Sequence, residues 1–309
     1  MKKMYRLGVV LVFAFCSIQA KVLIMTYHYN RPDFIEWQHK TFQKFLKDDY
    51  EFVVFNDAKV PRLEREIVQV CEKYNIKCVR IDPEIHNRPY LQRWPGERYH
   101  DPAVRNANAV QYSLDLLGFD HQGLVVTMDS DMFLIRPFSF EKYMENTDLA
   151  GLAQSRKRGQ KKVDYLWIGL ALLNMETLPE KKTINFNCGK ADGIPVDAGG
   201  STYYYLRDHP EINVKNFKSS TNYHMLCDSC KRSKRYKCVH NTKKLEQLGF
   251  NKKEIAFLQE GPSGAEFLLN NVMLHYGSGT NWNNQSADFH RKKTIIYKRF
   301  IDNILSDTP

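Results

Sequence analysis

The sequence predicts an α/β protein, one domain built on a mostly parallel central sheet with helices on both faces. Three observations predict it. From Lys21 to Asp131, short apolar runs alternate with segments of helical spacing, the pattern of successive β-α-β units. Two of those segments open on a proline, Pro61 and Pro102, which suits the first turn of a helix. The apolar runs end in polar residues, at Tyr27 to Arg31, Asn56-Asp57 and Asp129-Ser130-Asp131. Parallel sheets bind ligands at those carboxyl ends. No repeat, linker or low-complexity tract interrupts the 309 residues, of which 43% are hydrophobic, ample for one large core.

Taken in order, Val22 to Thr26 reads as a strand and Tyr27 to Asp33 as a polar turn. A helix over 34–46 follows, with Phe34, Trp37, Phe42 and Phe45 at helical spacing. Glu51 to Phe55 is the second strand, Pro61 to Tyr74 a helix, and Cys78 to Ile81 the third strand. Residues 82–100 read as an aromatic-rich loop, and Asp101-Pro102 caps a helix reaching about Leu117. The run Gly123-Leu-Val-Val carries the next strand into Asp129, and Pro137 to Met144 is a connector. Further on, 149–154 and 167–174 read as strands, 185–201 as a loop and 202–208 as a helix. Asn271 to His275 is a late strand, and Thr294 to Leu305 an amphipathic helix.

The first twenty residues differ from the rest. Met1 to Arg6 is basic, Leu7 to Ile18 is apolar, and Gln19-Ala20 places a small residue before Lys21. That is the layout of a cleavable secretory signal, too short to cross a bilayer, which takes about 20 residues. The expected location is the secretory lumen or the exterior, with an uncleaved anchor as the alternative and no stable membrane span in 21–309. Of seven cysteines, six then remain: Cys71, Cys78, Cys188, Cys227, Cys230 and Cys238. Exported chains permit disulfides. Cys71 and Cys78 flank a helix-to-strand turn and are the first expected pair. The basic insert at about 225–241 holds Cys227, Cys230, Cys238 and His240, whose spacing admits zinc or disulfides equally.

Net charge is +10, concentrated in the runs 156–162 and 231–237. Basic clusters attract polyanions or diphosphates. Neither run interleaves aromatics at regular spacing, so nucleic acid is not the expected partner. Both read as solvated loops, one of them placed to help hold phosphate.

The chemistry gathers on a few residues. Asp129 and Asp131, two residues apart on an extended chain, leave it on one side. Carboxylates that close repel unless a cation lies between them, and oxygen ligands suit Mn²⁺ or Mg²⁺. His275 ends the late strand, and its neutral imidazole is a suitable third ligand. Behind it, Gly277 and Gly279 form a turn whose amides can approach phosphate oxygens, and Trp282 follows. Asn56, Asp57 and Tyr27 are placed for a base or ribose, with Arg31 in the same turn and Asn106 on the helix after Pro102. Asp197, in Pro195-Val196-Asp197-Ala198-Gly199-Gly200, is the expected acceptor contact or base; Asp192, Glu260 and Glu266 are its rivals. Trp167 to Gly169 is placed to floor a sugar pocket.

In these residues the chain resembles the GT-A-fold glycosyltransferases, the nucleotide-sugar-dependent class. The resemblance rests on the amino-terminal strand and turn, on Asp129-Ser130-Asp131 as the Asp-x-Asp motif, and on the His275…Gly277…Trp282 arrangement. It spans nearly all of residues 21–290. It implies a single GT-A-like (Rossmann-like) domain that moves a sugar from a UDP- or GDP-sugar to a glycan, protein or lipid acceptor. It further implies that Asp129 contacts ribose or metal, that Asp131 binds the metal, and that His275 completes the coordination. The Gly277–Gly279 turn then lies near the diphosphate. The family's Lys-Pro-Trp is absent, since Thr280-Asn281 precede Trp282. The phosphate-binding lysine therefore has no counterpart, and the run 156–162 is the expected substitute.

Two other readings compete. A nucleotidyltransferase or pyrophosphatase on a similar sheet would release product from nucleotide sugars at full rate without an acceptor. A secreted binding protein, with Asp129 and Asp131 around structural calcium, would keep its partner after Asp131→Asn and show no turnover.

Overall fold

The computed structural model describes residues 22–87, 102–217, 220–221, 242–260, 266–280 and 286–306. A seven-stranded sheet forms its centre, with β1 (Val22–His28), β2 (Tyr50–Asn56), β3 (Lys77–Arg80), β4 (Leu124–Asp129), β6 (Leu149–Arg158), β7 (Lys161–Asn174) and β10 (Val214–Asn216) in the order β10-β6-β7-β4-β1-β2-β3. β1 pairs in parallel with β2 and β4, and β2 with β3. Only β7 runs against the others, antiparallel to both β4 and β6. The fold is thus α/β on a mostly parallel sheet, as its alternation predicts.

Helices α1 (Pro32–Phe45) and α2 (Pro61–Lys73) cover one face, and α3 (Pro102–Ser113) covers the other. The strands show it by their alternation. Val22 and Ile24 pack with Ile35, Phe42 and Ile67, while Leu23, Met25 and Tyr27 pack with Ala107, Val110 and Leu114. Burial on both faces is why these strands read as continuous apolar runs. A π-helical turn, Leu114–Gly118, extends α3.

A second, four-stranded antiparallel sheet leans against this one in the order β11-β12-β13-β5, formed by β5 (Met132–Leu134), β11 (Ser220–Thr221), β12 (Glu266–Leu268) and β13 (Met273–His275). Between it and the helix 287–306 lies a separate aromatic core containing Phe34, Phe133, Tyr276, Tyr297 and Phe300. Its strands are three residues or fewer, too short to show alternation in the sequence.

Two stretches differ from their sequence reading. Residues 156–162 are not a loop but the tip of the β6–β7 hairpin, with Lys157 opposite Lys162 and Arg158 opposite Lys161. The segment 185–201 holds a second hairpin, β8 (Gly189–Ala191) with β9 (Ile194–Val196). Its turn is Asp192-Gly193, with φ of 48° and 78°, the Asp-Gly signature of a tight hairpin turn. Cys71 and Cys78 are free thiols. Cys71 and Cys78 sit together, and the hydrogen bond between them pulls the Cys78 thiol down and pushes Cys71 up. The cysteines of the 225–241 insert lie outside the described residues, as does the leader. Among the described residues no helix is long and apolar enough to cross a membrane.

Candidate functional site

From β1 the chain passes to β2 on one side, and after β3 it crosses to β4 on the other. The carboxyl ends of β1 and β4 are therefore the switch point of the sheet, where a crevice opens. Tyr27 faces Asp129 in register across it. A cavity of about 970 Å³ fills the crevice and is lined by Tyr27, Arg31, Asp57, Asn106, Asp129, Asp131, Asp197, His275, Gly277 and Gly279, among others.

The two aspartates reach one place by a turn rather than by strand alternation. β4 ends at Asp129, Ser130 and Asp131 form the turn, and β5 begins at Met132. Gln38, from α1, ties that turn, its amide donating to the carbonyls of Asp129 and Met132 at 3.1 Å each. Gln38 is itself held by buried His28, whose Nε2 lies 3.1 Å from Gln38 Oε1 and 2.9 Å from Thr26 Oγ1. Burial holds the His28 imidazole neutral, its pKa down at about 4.

The antiparallel pairing of β5 with β13 brings the distant histidine in. Met132 lies opposite His275, and the Tyr276 amide donates to the Asp131 carbonyl at 2.8 Å. His275 Nε2 then stands 3.2 Å from Asp131 Oδ1. One ligand atom each from Asp129, Asp131 and His275 falls within 4.8 Å of the others. Behind the imidazole, Nδ1 donates to Glu266 Oε2 at 2.8 Å, the carboxylate support that orients a metal-binding histidine. Asn106 Nδ2 donates to Asp129 Oδ1 at 3.1 Å.

Charges within this cluster answer one another. Burial, reinforced by Asp131, raises the Asp129 pKa to about 7. Burial works against Asp131 too, but the His275 charge and hydrogen bond, the Gly279 amide and Lys293 outweigh it, holding the carboxyl down at about 2. His275 loses solvent as well, yet Asp131 and Glu266 raise it to about 10. Metal-free, the site thus holds a proton on imidazole between two carboxylates. A divalent cation held there would take the place of that proton, and a donor set of two carboxylates and one imidazole suits Mn²⁺ or Mg²⁺. The residues fit the ion.

The glycine turn is shaped by contact. Gly279 donates its amide to Asp131 Oδ2 at 2.9 Å. A Cβ there would lie 2.6 Å from Phe34 Cε2 and 2.7 Å from Asp131 Cβ, so any larger residue must displace one of them. Arg31 reaches the same turn, its Nη1 donating to the Gly279 carbonyl at 2.7 Å while its guanidinium pairs with Asp33 and lies 3.5 Å above the Phe34 ring. Below, the buried Lys293 donates to the carbonyls of Tyr276 and Gly277, at 2.5 and 3.1 Å.

At the other end of the cavity, Asp57 is gripped by Arg105, with Nε at 2.6 Å from Oδ2 and Nη2 at 2.5 Å from Oδ1, and by His86 Nε2 at 2.8 Å. Arg105 also lies 4.8 Å from the Tyr29 ring. Asn56 is outside the lining, its amide donating to the Glu64 carbonyl and its oxygen accepting from the Ala58 amide. Tyr27 lines the cavity, its hydroxyl 2.7 Å from Ser113 Oγ. Trp167 lines it too, 5.5 Å from the His275 ring. Asp197 stands exposed on the far rim, its Oδ1 accepting from the Ala198 amide at 2.8 Å. Trp282 lies outside the described residues. The run 156–162 does not line this cavity; its residues Arg156, Lys157 and Arg158 border a second groove.

Sequence reasoning passed over Gln38 and Lys293, had His28 only as an unnamed part of the Tyr27 to Arg31 turn, and had Glu266 only as a rival base. Lys293 had a readable signal, a charge on the stripe of Phe289, Tyr297 and Phe300 that the helix buries. Gln38 and His28 had none.

No family model matches the chain, and none of the curated proteins does. Among the solved structures similar to it are two glycosyltransferases. One is the bifunctional glycosyltransferase WbbM without ligand, at 11% identity and TM-score 0.35, the match covering 57% of this chain and 34% of that one. Another is the mannosyltransferase PcManGT from Pyrobaculum calidifontis in complex with GDP-Man and Mn²⁺, at 12% identity and TM-score 0.39, covering 65% of this chain and 55% of that one. The chain thus spans about a third and about half of their lengths.

Proposed function

We propose that this protein is a metal-dependent glycosyltransferase that takes its sugar from a nucleotide-sugar donor. The observation carrying the reading is the meeting of Asp129, Asp131 and His275 at the switch point of a parallel sheet, inside a cavity of about 970 Å³. That volume lies at the upper end of small-molecule sites, suiting a donor and part of an acceptor together.

Asp129, Asp131 and His275 would hold Mn²⁺ or Mg²⁺, with Glu266 and Asn106 orienting them. The ion, when bound, supplies charge neutralisation for the departing diphosphate. The Gly277–Gly279 turn, braced by Arg31 and Lys293, closes one side of the diphosphate position, and Trp282 follows it in the chain. At the other end, Tyr27, Tyr29 and the Asp57–Arg105 pair face the nucleoside; Asn56 sets the shape of that strand end. Trp167 beside His275 offers an aromatic face to the donor sugar. Asp197, on the rim, is the acceptor-side carboxylate, placed to receive the proton of the attacking hydroxyl as the sugar–phosphate bond breaks.

Residues 1–20 are read as a secretory leader, followed by one catalytic domain with the cysteine-bearing insert at about 225–241. In an oxidising compartment the adjacent Cys71 and Cys78 would close as a disulfide. Mn²⁺-dependent binding and turnover across a panel of UDP- and GDP-sugars tests the function. Wild type should bind at least one nucleotide sugar only with metal, and Asp131→Asn should bind none. A wild-type protein indifferent to every nucleotide sugar with Mn²⁺ would sink the proposal.

A further inference from the structure

Beyond Asp197 the cavity does not end. Asp197 also lines a second groove of about 550 Å³, whose other walls are Arg156, Lys157 and Arg158 of β6 and Ile194, Pro195 and Val196 of β9. β6 leads from one space to the other. Leu152 and Gln154 line the central cavity, and Arg156 and Arg158 line the groove. Side chains at every second position of a strand share a face, so Gln154, Arg156 and Arg158 form one row. Steps along it are about 7 Å, near the length of one sugar ring. The buried Gln154 Oε1 has no hydrogen-bond partner among the described residues, although buried acceptors are rarely left so.

Three cations wall the groove, and among the described residues Asp197 at its mouth is the one acid on its lining. The acidic neighbours are engaged elsewhere, Asp164 with Lys162 and Ser155 and Asp192 with Tyr203. We propose that this groove makes the acceptor an anionic saccharide, one whose phosphate or carboxylate is held by Arg156 and Arg158 a sugar unit or two beyond the hydroxyl that Asp197 addresses. The proposal rests on the glycosyltransferase reading and names its acceptor class.

Titration of wild type with glucose 6-phosphate, glucuronate and glucose, with Mn²⁺ and UDP or GDP present, tests it. The phosphate and carboxylate arms separate the two anions, and inorganic phosphate serves as the control. One or both anionic sugars should bind about tenfold more tightly than glucose, and raising the salt should erode the gap. Arg156→Ser with Arg158→Ser should bring the ratio near one, and the paired Arg→Lys variants should restore most of it. Lys252→Ser with Lys253→Ser, which removes the same charge from the exposed start of helix 252–260, should leave the ratio unchanged. Thermal melts check that each variant is folded. Equal affinity for all three sugars, binding of none, preference surviving the double Ser variant, or inorganic phosphate binding as tightly as the sugar phosphate would overturn the proposal. Failure of the donor reading shows separately, as absent Mn²⁺-dependent nucleotide binding, whatever the sugars do.

Discussion

Asp131 accepts from the Gly279 amide at 2.9 Å and faces His275 at 3.2 Å, so it is prepared as a carboxylate before any ion arrives. His275 and Asp129 are not. With pKa values raised to about 10 and about 7, both carry protons in the metal-free site at mildly acidic pH. Metal ligands must be deprotonated, so binding displaces about two protons below pH 7 and about one between pH 7 and 10. The Mn²⁺ affinity should therefore rise with pH, steeply up to about 7 and more gently beyond. Calorimetry in buffers of different ionisation enthalpy reads the proton count directly; a pH-independent affinity would contradict this linkage. Glu266→Gln removes the charge behind the imidazole and should weaken Mn²⁺ by about 10–100-fold, measured by the loss of the free Mn²⁺ resonance signal.

The turn 277–279 is held from three sides, by Asp131, Arg31 and Lys293, and its element-scale consequences are separable. Gly279→Ala forces a Cβ into Phe34 and Asp131 and should cost about 1–3 kcal/mol, visible in urea unfolding together with weakened Mn²⁺. Lys293→Met leaves the carbonyls of Tyr276 and Gly277 without their buried donor. At about 1–3 kcal/mol per orphaned group, it should destabilise the fold, although Lys293 is not itself among the metal-ligand candidates. Elements differed in how plainly the sequence showed them. β1, β2 and β4 were legible because both of their faces are buried, which leaves an apolar run whatever the helices do. The β8–β9 hairpin had its Asp192-Gly193 turn in plain view, but strands of three residues carry no alternation to confirm it. The run 156–162 read as a loop because charge masks a strand when both faces of a hairpin tip are solvated.

At the scale of the whole molecule, the site belongs to two sheets, and a ligand that spans them should tie them together. A nucleotide sugar at 100 times its Kd, with Mn²⁺, adds about 2.7 kcal/mol. For a chain of this size that is roughly 5–10 °C in melting temperature, and Asp131→Asn should show none of it. By itself the sequence determined the parallel sheet, the helices on its two faces and the acidic turn at a strand end, since each is written in residues close together along the chain. It also determined that His275 ends a strand before a glycine turn. What only the tertiary structure decided is that His275 meets Asp131, that Glu266 stands behind it, and that Asp197 joins the cavity to a basic groove. Those meetings depend on the register of β5 with β13 and on the crossing of β6 past β9. Register between short strands is set by packing, here the aromatic core of Phe34, Phe133, Tyr276 and Tyr297, and no local pattern in the chain encodes it.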